Sequence, residues 1–436
     1  MEAAAPHTPA LLSLPPELLA LVLSKVQGDK NSLRAACRVL RLAVNACTSA
    51  LTWTRPHVLA TRYSTRALPV LLPASLSASC PGIRRLDCDG QQEDKPRLDV
   101  RIAAFPPSIR ILICSRTDIQ SLDPLAACTL LQTLDCSGTK VAALGPLAAC
   151  TSLQTLDCSG TVVAELGPLA TCTSLRNINC SRTRVAELGP LAACPLLQTL
   201  DCSRTQVEEL GPLASCMSLQ TLDCSGTEVA ELGPLAACTS LQTLDCSGTE
   251  VAELGPLAAC SSLQTLVCSG TEVTELGPLA ACTSLQTLDC SRTRVAEIGP
   301  LTACTSLQTL DCSVTEVAEL GPLAACPALQ ALDWSTTQVE ELSPLTGCTL
   351  LQSLNCSRTQ VADLSPLAAC RSLQRLYCYD TFVEDVGPLV AACTSLVWLE
   401  CPPLVPHAQT QLLKEACRNL EDMYHVPGRS CMHPYF

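Results

Sequence analysis

Cysteine is the residue type that could carry the most chemistry here, because 32 of the 436 residues are cysteines. One series runs from Cys114 to Cys378 in steps of 22 residues, with Trp334 in one slot. A second series runs from Cys128 to Cys370 at the same step. A metal site needs clustered cysteine or histidine ligands, and even spacing provides none. The pattern therefore predicts buried, reduced thiols without disulfides and no metal site.

Other residues that support catalysis are not arranged for it. The five histidines lie outside the regular repeats, and the serines recur as a structural column. There is no glycine-rich phosphate loop of the P-loop kind. In the tail, His425, Cys431 and His433 are three potential ligands without a fourth, which favours a loose tail over a metal site. We predict no catalytic residues, no cofactor and no enzymatic activity.

Charge and hydropathy exclude several classes of partner. The formal net charge is −13, which argues against a nucleic-acid-binding protein. No apolar run approaches the ~18 residues that a membrane span needs. The N-terminus lacks the basic region of a signal peptide and is interrupted by Pro15-Pro16. We therefore expect a cytoplasmic or nuclear protein that binds neither nucleic acid nor membranes.

The repeat between the cysteines predicts a strand followed by a turn. In one copy Leu222 and Cys224 alternate with Asp223, which is typical of a short strand with one buried face. Pro234 suits the first position of a short helical or 3₁₀ turn, where its missing N–H costs nothing. Such a unit cannot bury its apolar residues alone, so the copies must stack on one another.

This pattern resembles the leucine-rich repeat, in the 22-residue class found in a regulatory subunit of type-one protein phosphatase. Cysteine replaces leucine at two core positions, and threonine stands where that family places its asparagine ladder. Cys88 and Cys401 mark irregular flanking copies. The resemblance implies an α/β solenoid, a leucine-rich-repeat arc with a parallel concave sheet of about 15 short strands.

Residues 14–45 do not follow the repeat, and they predict two short amphipathic helices separated by Gly28 and Asp29. The segment resembles an F-box, the helical module of cullin-type ubiquitin ligases. The matching positions in its first part are Leu14, Pro15, Glu17, Leu18, Leu19, Val22, Leu23 and Ser24, and those in its second are Asp29, Ser32, Leu33, Arg34, Cys37, Arg38 and Arg41. The resemblance implies docking on the small adaptor of the SCF cullin complex through Leu14, Pro15, Leu18, Val22 and Leu33. The alternative is a helical cap that shields the first repeat.

These patterns give a domain plan. We expect a disordered N-terminus over residues 1–11, the F-box-like segment over 12–50 and a helical or irregular join over 51–80. The repeats cover 81–401, with a regular register over about 110–380, and a capping helix and tail occupy 402–436. An apolar stripe predicts that the capping helix spans 406–424.

The outward positions of the repeats suggest where a partner could bind. Aspartates such as Asp223 and Asp245 share one strand position, and they predict either an acidic track for a basic segment or a tolerated residue copied by duplication. The position after the serine varies between glycine and residues such as Arg182 and Arg204. A ligand could be distinguished at these variable positions.

Aromatic residues cluster near the last repeats. Tyr377 takes an aspartate position and Tyr379 a serine position, so both should face outward beside Arg375, with Phe382 just past the strand. Trp398 falls one residue before the inward Leu399, so it too should face outward. Tyrosine and arginine are enriched in interface hot spots, although irregularity at the end of a repeat array is a competing explanation. The leading hypothesis is a substrate-recognition subunit of an SCF-type ubiquitin ligase that binds its target here. The alternative is a non-enzymatic scaffold, like a phosphatase-regulatory protein, whose N-terminal helices only cap the stack.

Overall fold

The repeats form two compact units, which divide the chain into Met1–Arg184 and Val185–Phe436. The computed structural model describes residues 51–52, 84–87, 105, 107–417, 420 and 422–425. The F-box-like segment over 12–50, and with it Leu14, Pro15, Leu18, Val22 and Leu33, lies outside the described residues. No helix in these described ranges is both long and apolar enough to cross a membrane.

The first unit contains parallel strands that pair in chain order. They are β1 (Leu51–Thr52), β2 (Arg85–Asp87), β3 (Ile111–Ile113), β4 (Thr133–Asp135), β5 (Thr155–Asp157) and β6 (Asn177–Asn179). Short 3₁₀ helices connect the later strands, at Asp123–Leu125, Gly145–Ala149 and Gly167–Thr171.

The second unit continues the same pattern, with each strand parallel to the next. Its strands are β7 (Thr199–Asp201), β8 (Thr221–Asp223), β9 (Thr243–Asp245), β10 (Thr265–Val267), β11 (Thr287–Asp289), β12 (Thr309–Asp311), β13 (Ala331–Asp333), β14 (Ser353–Asn355), β15 (Arg375–Tyr377), β16 (Trp398–Cys401) and β17 (Asp422–His425). Its 3₁₀ helices are Gly189–Ala193, Gly211–Ser215, Gly233–Ala237, Gly255–Ala259, Gly277–Ala281, Gly299–Ala303, Gly321–Ala325, Ser343–Gly347 and Ser365–Ala369. Two α-helices follow, α1 (Gly387–Ala392) and α2 (His407–Ala416).

Each repeat closes its own turn through short hydrogen bonds. After β8, the Thr227 hydroxyl donates to the carbonyl oxygen of Cys224 at 2.6 Å. Pro234 lies in the first turn of the 3₁₀ helix that follows, as its missing N–H predicted. The amide of Leu235 donates to Leu232 O at 2.9 Å. Threonine therefore closes the turn within its own repeat, at the position where the family that this pattern resembles has an asparagine.

The strand prediction is confirmed over the repeats and incomplete at their ends. Between residues 81 and 401 the described residues form the expected fifteen strands, β2 to β16. The sequence did not predict β1 or β17, which add to the two ends of this series. The helix predicted for 406–424 forms over His407–Ala416, but the prediction is wrong for 422–424, because Asp422–His425 is a strand that pairs with β16. An apolar stripe at helical spacing therefore did not define where the helix ends.

The core consists of leucines, valines and the two cysteine series. All described cysteines from Cys114 to Cys417 are buried. Trp334 is also buried, as its place in the cysteine series predicted. Its Nε1 has no hydrogen-bond partner among the described residues, so the larger ring fills the slot without satisfying its donor.

The thiols also satisfy backbone carbonyl groups between repeats. Cys224 Sγ donates to Asp245 O at 3.5 Å, one repeat later. Cys238 Sγ donates to Leu213 O at 3.4 Å, in the preceding repeat. Burial, followed by the neighbouring Cys246 and the nearby aspartates, raises the pKa of Cys224 well above its ordinary value. The core therefore holds its cysteines in the protonated form.

Alkaline pH should unfold the repeats, because thiols ionise more easily in the unfolded chain. Burial, and then neighbouring cysteines, raise the pKa of Cys150 and of Cys216 from 9.0 to about 12. Above pH ~9 the unfolded state then binds fewer protons than the folded state, so the free energy of unfolding falls as pH rises. We expect the urea midpoint, measured by circular dichroism, to hold below pH ~9 and to fall steeply above it.

A triple variant supplies the control for this pH dependence. Cys224→Ala, Cys246→Ala and Cys268→Ala together remove three buried ionisable groups from adjacent repeats. The variant should be less stable at neutral pH because of the cavities it creates, but its stability should fall less steeply with pH. An unchanged slope would attribute the alkaline transition to other groups, such as tyrosines or lysines.

Candidate functional site

The face of the sheet that points away from the core is built from two columns, and we call it the outer sheet face. One residue of each column flanks the buried leucine of a strand, as Thr221 and Asp223 flank Leu222 on β8. The residue before this leucine is threonine in most repeats and forms the threonine column. The residue after it is aspartate in most repeats and forms the aspartate column. Because the strands pair in register, each column runs straight across its unit.

The aspartate column has a structural role that the sequence did not reveal. Oδ1 of Asp223 accepts hydrogen bonds from the Ser225 amide at 2.9 Å and from its hydroxyl at 2.7 Å. The same arrangement recurs at Asp157 and Ser159. Each aspartate therefore fixes the start of the turn in its own repeat.

The variable position after the serine is a left-handed backbone position, and we call its members the turn column. Where it is glycine, as at Gly226 and Gly248, φ is 61° and 63°. Its other members have φ between 52° and 59°, and they are Arg116, Arg182, Arg204, Arg292, Val314, Thr336, Arg358 and Asp380. A side chain in this conformation costs about 1–2 kcal/mol. Backbone conformation therefore favours glycine, and the arginines need another explanation.

Aromatic residues replace the polar columns at β15 and β16. Tyr377 lies in the aspartate column and Trp398 in the threonine column of the next strand, and both are half-buried. Their ring centroids are 6.5 Å apart, with the ring planes at 42°. Arg375 is exposed on the same strand as Tyr377, and Glu400 pairs with Tyr377 across the strands. The outward orientation predicted for Trp398 is confirmed, while Glu400 was not predicted.

A cation joins the next residues of this cluster. The Arg358 guanidinium lies 5.8 Å from the centroid of the Tyr379 ring, within the range of a cation–π contact. Its Nε is 3.8 Å from Oδ2 of Asp380. Neither Arg358 nor Asp380 was among the predicted site residues. Both belong to the turn column in adjacent repeats, and Tyr379 directly precedes Asp380 in the sequence, which could have indicated this contact.

The structure brings together some predicted site residues and separates others. Tyr377 and Arg375 share one strand, whereas Asp223 and Asp245 end β8 and β9 of the same unit. Seven strand spacings of ~4.8 Å separate Asp223 from Tyr377, or roughly 34 Å. The other target-binding predictions are Phe382, which is 63% exposed, Arg204 in the second unit and Arg182 in the first. One short ligand cannot contact Asp223 and Tyr377 together.

Comparison with known proteins places these repeats among leucine-rich repeats. A family model described as leucine-rich repeats (two copies) matches residues 261–303. An internalin (InlF) from Listeria monocytogenes aligns over 66% of this chain and 85% of its own, with a TM-score of 0.64 and 20% identity. A leucine-rich-repeat protein of Leptospira interrogans aligns over 81% of this chain and 92% of its own, with a TM-score of 0.65 and 13% identity.

The fold is a leucine-rich-repeat solenoid. The functional domain of InlJ from L. monocytogenes, which includes a cysteine ladder, aligns over 66% of this chain and 67% of its own, with a TM-score of 0.57 and 24% identity. No curated protein matches the chain. The family model and the solved structures confirm the predicted leucine-rich repeats and the predicted solenoid fold.

Two glycines of one leucine-rich repeat should respond in opposite ways to alanine. Gly248 has φ of 63°, whereas a Cβ on Gly255 would meet nothing within 4 Å and its backbone is not left-handed. We expect Gly248→Ala to lower the free energy of unfolding by about 1–2 kcal/mol, because alanine disfavours this conformation. Gly255→Ala should leave it unchanged or raise it by about 0.4–1 kcal/mol. Urea unfolding measures both, and equal effects would contradict the account of the turn column.

Proposed function

We propose that this chain is a protein-binding adaptor, the substrate-recognition subunit of an SCF-type cullin ubiquitin ligase, whose repeats capture a target protein. The observation that carries the proposal is the aromatic and charged cluster formed by Tyr377, Trp398, Tyr379 and Arg358 on and beside the outer sheet face. Solenoids use such extended surfaces for binding. The F-box-like sequence of residues 12–50 supports the ligase role. In this proposal the protein acts in the cytoplasm or nucleus and does no chemistry itself.

The cluster has the composition of a binding hot spot. Tyrosine and tryptophan supply large contact areas at low cost in side-chain entropy. Arg358 is held between Asp380 and the Tyr379 ring, so little of its freedom remains to be lost on binding. The rest of the outer sheet face is mainly threonine and aspartate, which offers little apolar area. We therefore assign target capture to Arg375, Tyr377, Tyr379 and Phe382, with Asp223, Asp245 and Arg204 of the same unit as secondary contacts. Arg182, in the first unit, stays a separate prediction.

The alternative function is a non-enzymatic scaffold whose N-terminal helices only cap the solenoid. It shares the binding surface with the leading proposal and differs in the role of residues 12–50. Co-purification of the SCF adaptor and the cullin with the full-length chain separates the two functions. A scaffold would retain its target partner but bring down neither ligase component.

The adaptor contact should depend on the apolar residues of the F-box-like segment. Replacing Leu18 and Val22 with aspartate would place unpaired charges in the proposed interface at a cost of several kcal/mol. We expect the adaptor and cullin to be lost from the pull-down, while the urea unfolding of the repeats is unchanged. Leu350→Asp, at a leucine that is 51% exposed in the repeats, serves as the matched control. If wild-type protein brings down no adaptor, the ligase role is wrong.

Target affinity should depend on the two tyrosines. The double variant Tyr377→Ala and Tyr379→Ala removes the partner rings of Trp398 and Arg358. We expect it to lose roughly 2–4 kcal/mol of target affinity by calorimetry, with its fold intact. Met217→Ala, at a side chain that is 66% exposed in another repeat, should bind normally. Targets that bind the double variant as tightly as wild type would place the site elsewhere on the repeats.

A further inference from the structure

The outer sheet face changes from acidic to aromatic over five strands of the second unit. Along the aspartate column, the acids give way to an amide and then to an aromatic ring. Along the threonine column, small side chains give way to a cation and then to a second ring. From β12 to β16 the paired members are Thr309 and Asp311, Ala331 and Asp333, Ser353 and Asn355, Arg375 and Tyr377, and Trp398 and Glu400. We call the outer sheet face of these five strands the strip, and its two ends offer different chemistry to one ligand.

The acidic end carries two adjacent carboxylates, Asp311 and Asp333, which pair in register on β12 and β13. Oδ1 of Asp311 accepts a hydrogen bond from the Ser313 amide at 2.9 Å, and Asp333 accepts from the Ser335 amide and from Nδ2 of Asn355, both at 2.8 Å. Burial raises the pKa of Asp311, the hydrogen bonds from Ser313 lower it, and the charges of Asp333 and Asp289 raise it, so that the net shift is upward. A lysine or arginine from a ligand would relieve this repulsion.

The aromatic end offers an apolar surface and has no net charge. The Tyr377 and Trp398 rings form a tilted, half-buried surface with 6.5 Å between their centroids. The exposed Arg375 precedes Tyr377 on β15 and Glu400 pairs with Tyr377 from β16, so this end carries one charge of each sign, whereas the acidic end carries two carboxylates. Between the two ends, Ala331 and Ser353 have short side chains that allow a ligand backbone to approach. The strip therefore distinguishes the two ends of a ligand.

A ligand that touches both ends must cross the strands instead of lying along one. Such a segment cannot extend the sheet, because its backbone does not run parallel to any strand. A polyproline II segment needs no backbone hydrogen-bond partners and is recognised by aromatic surfaces. Its conformation is also preformed, which reduces the entropy lost on binding.

The dimensions of this conformation match the strip. Polyproline II rises ~3.1 Å per residue with three residues per turn, so every third side chain returns to the same face after ~9.3 Å. Neighbouring strands are ~4.8 Å apart, and two spacings from Asp333 to Tyr377 make roughly 9.6 Å. A residue over the acidic end and a residue three positions away over the rings can therefore face the sheet together.

We propose that the outer sheet face from β12 to β16 binds a polyproline II segment that carries a lysine or arginine three residues from a proline. The basic residue lies over Asp333, from which its long side chain reaches Asp311, and the proline packs on Tyr377, two strand spacings away and beside Trp398. This inference rests on the proposed role of the sheet face as the target-binding surface. It specifies the chemical class of the target segment.

Selection from a displayed library of random ten-residue peptides tests the pattern on the purified full-length chain. We expect the selected peptides to be enriched in a lysine or arginine three residues from a proline, relative to other spacings of the same residues. A synthetic, fluorescently labelled copy of the most enriched peptide then gives affinities by anisotropy. Failure to select any peptide, or selection without this spacing, would overturn the inference.

Matched variants locate the peptide on the strip. Tyr377→Ala should weaken binding about 30-fold, whereas Met217→Ala should not change it. Asp311→Asn should weaken binding about fivefold at low salt and less at high salt. Glu231→Gln removes the same charge from an exposed residue outside the sheet columns and should have no effect. Equal losses in a variant and its control would assign binding to general charge or apolarity and reject the site.

The two proposals can fail separately. Leu18→Asp with Val22→Asp should abolish adaptor co-purification and leave peptide affinity unchanged. Tyr377→Ala should weaken peptide binding and leave adaptor co-purification unchanged. Peptide binding with the predicted spacing, but without any adaptor in the wild-type pull-down, would reject the ligase role and retain the peptide site. If the adaptor co-purifies but the library yields no peptide, or peptides without this spacing, the peptide site alone is rejected.

Discussion

The close stacking of one repeat on the next is the constraint on which the rest of this structure depends. Parallel strands lie ~4.8 Å apart, so each side chain in a buried column has only that distance before the next side chain of the column. The fold meets this limit mainly with leucine, valine and cysteine at its inward positions, where Trp334 replaces one cysteine and is itself buried. Cysteine is small enough for the column, and its thiol also donates to a backbone carbonyl of a neighbouring repeat. The unusual cysteine content is therefore a property of packing, and burial keeps these thiols protonated and unreactive.

The same stacking determines which surface positions are free to vary. A residue in the aspartate column holds its turn through the serine two positions later, so changing it disturbs the backbone as well as the surface. The turn column makes no such contribution, yet it requires a left-handed conformation that favours glycine. An arginine side chain at this position, as at Arg292, is thus conformationally unfavourable. Surface function is the more economical explanation for residues that backbone energetics disfavour.

The sequence predicted the periodic features well because one period determines both packing and hydrogen bonding. The alternation of Leu222, Asp223 and Cys224 predicted β8 and its buried face, and the same reasoning oriented Trp398. Prediction failed where the period ends: Asp422–His425 forms a strand because it can pair with β16, a contact that no local pattern in the sequence encodes. It also missed the hydrogen bonds of the aspartates and the Arg358–Tyr379 contact, since both depend on side-chain directions. The outward orientation of Tyr377 and Trp398 could be anticipated, but the geometry of the contact between their rings could not.

The aromatic end of the second unit shows how a binding surface can be introduced without changing the solenoid. Tyr377 and Tyr379 replace the aspartate and serine that hold the turn elsewhere, so this repeat loses the hydrogen bonds of that pair. The repeat retains Thr381, whose hydroxyl donates to Cys378 O at 2.6 Å and closes the turn independently. Arg358 of the preceding repeat lies against both Tyr379 and Asp380 and supplies a contact between repeats where the usual pair is absent. Because the buried leucines and cysteines are unchanged at Leu376 and Cys378, the outer face can acquire its aromatic surface while the stacking that supports it is preserved.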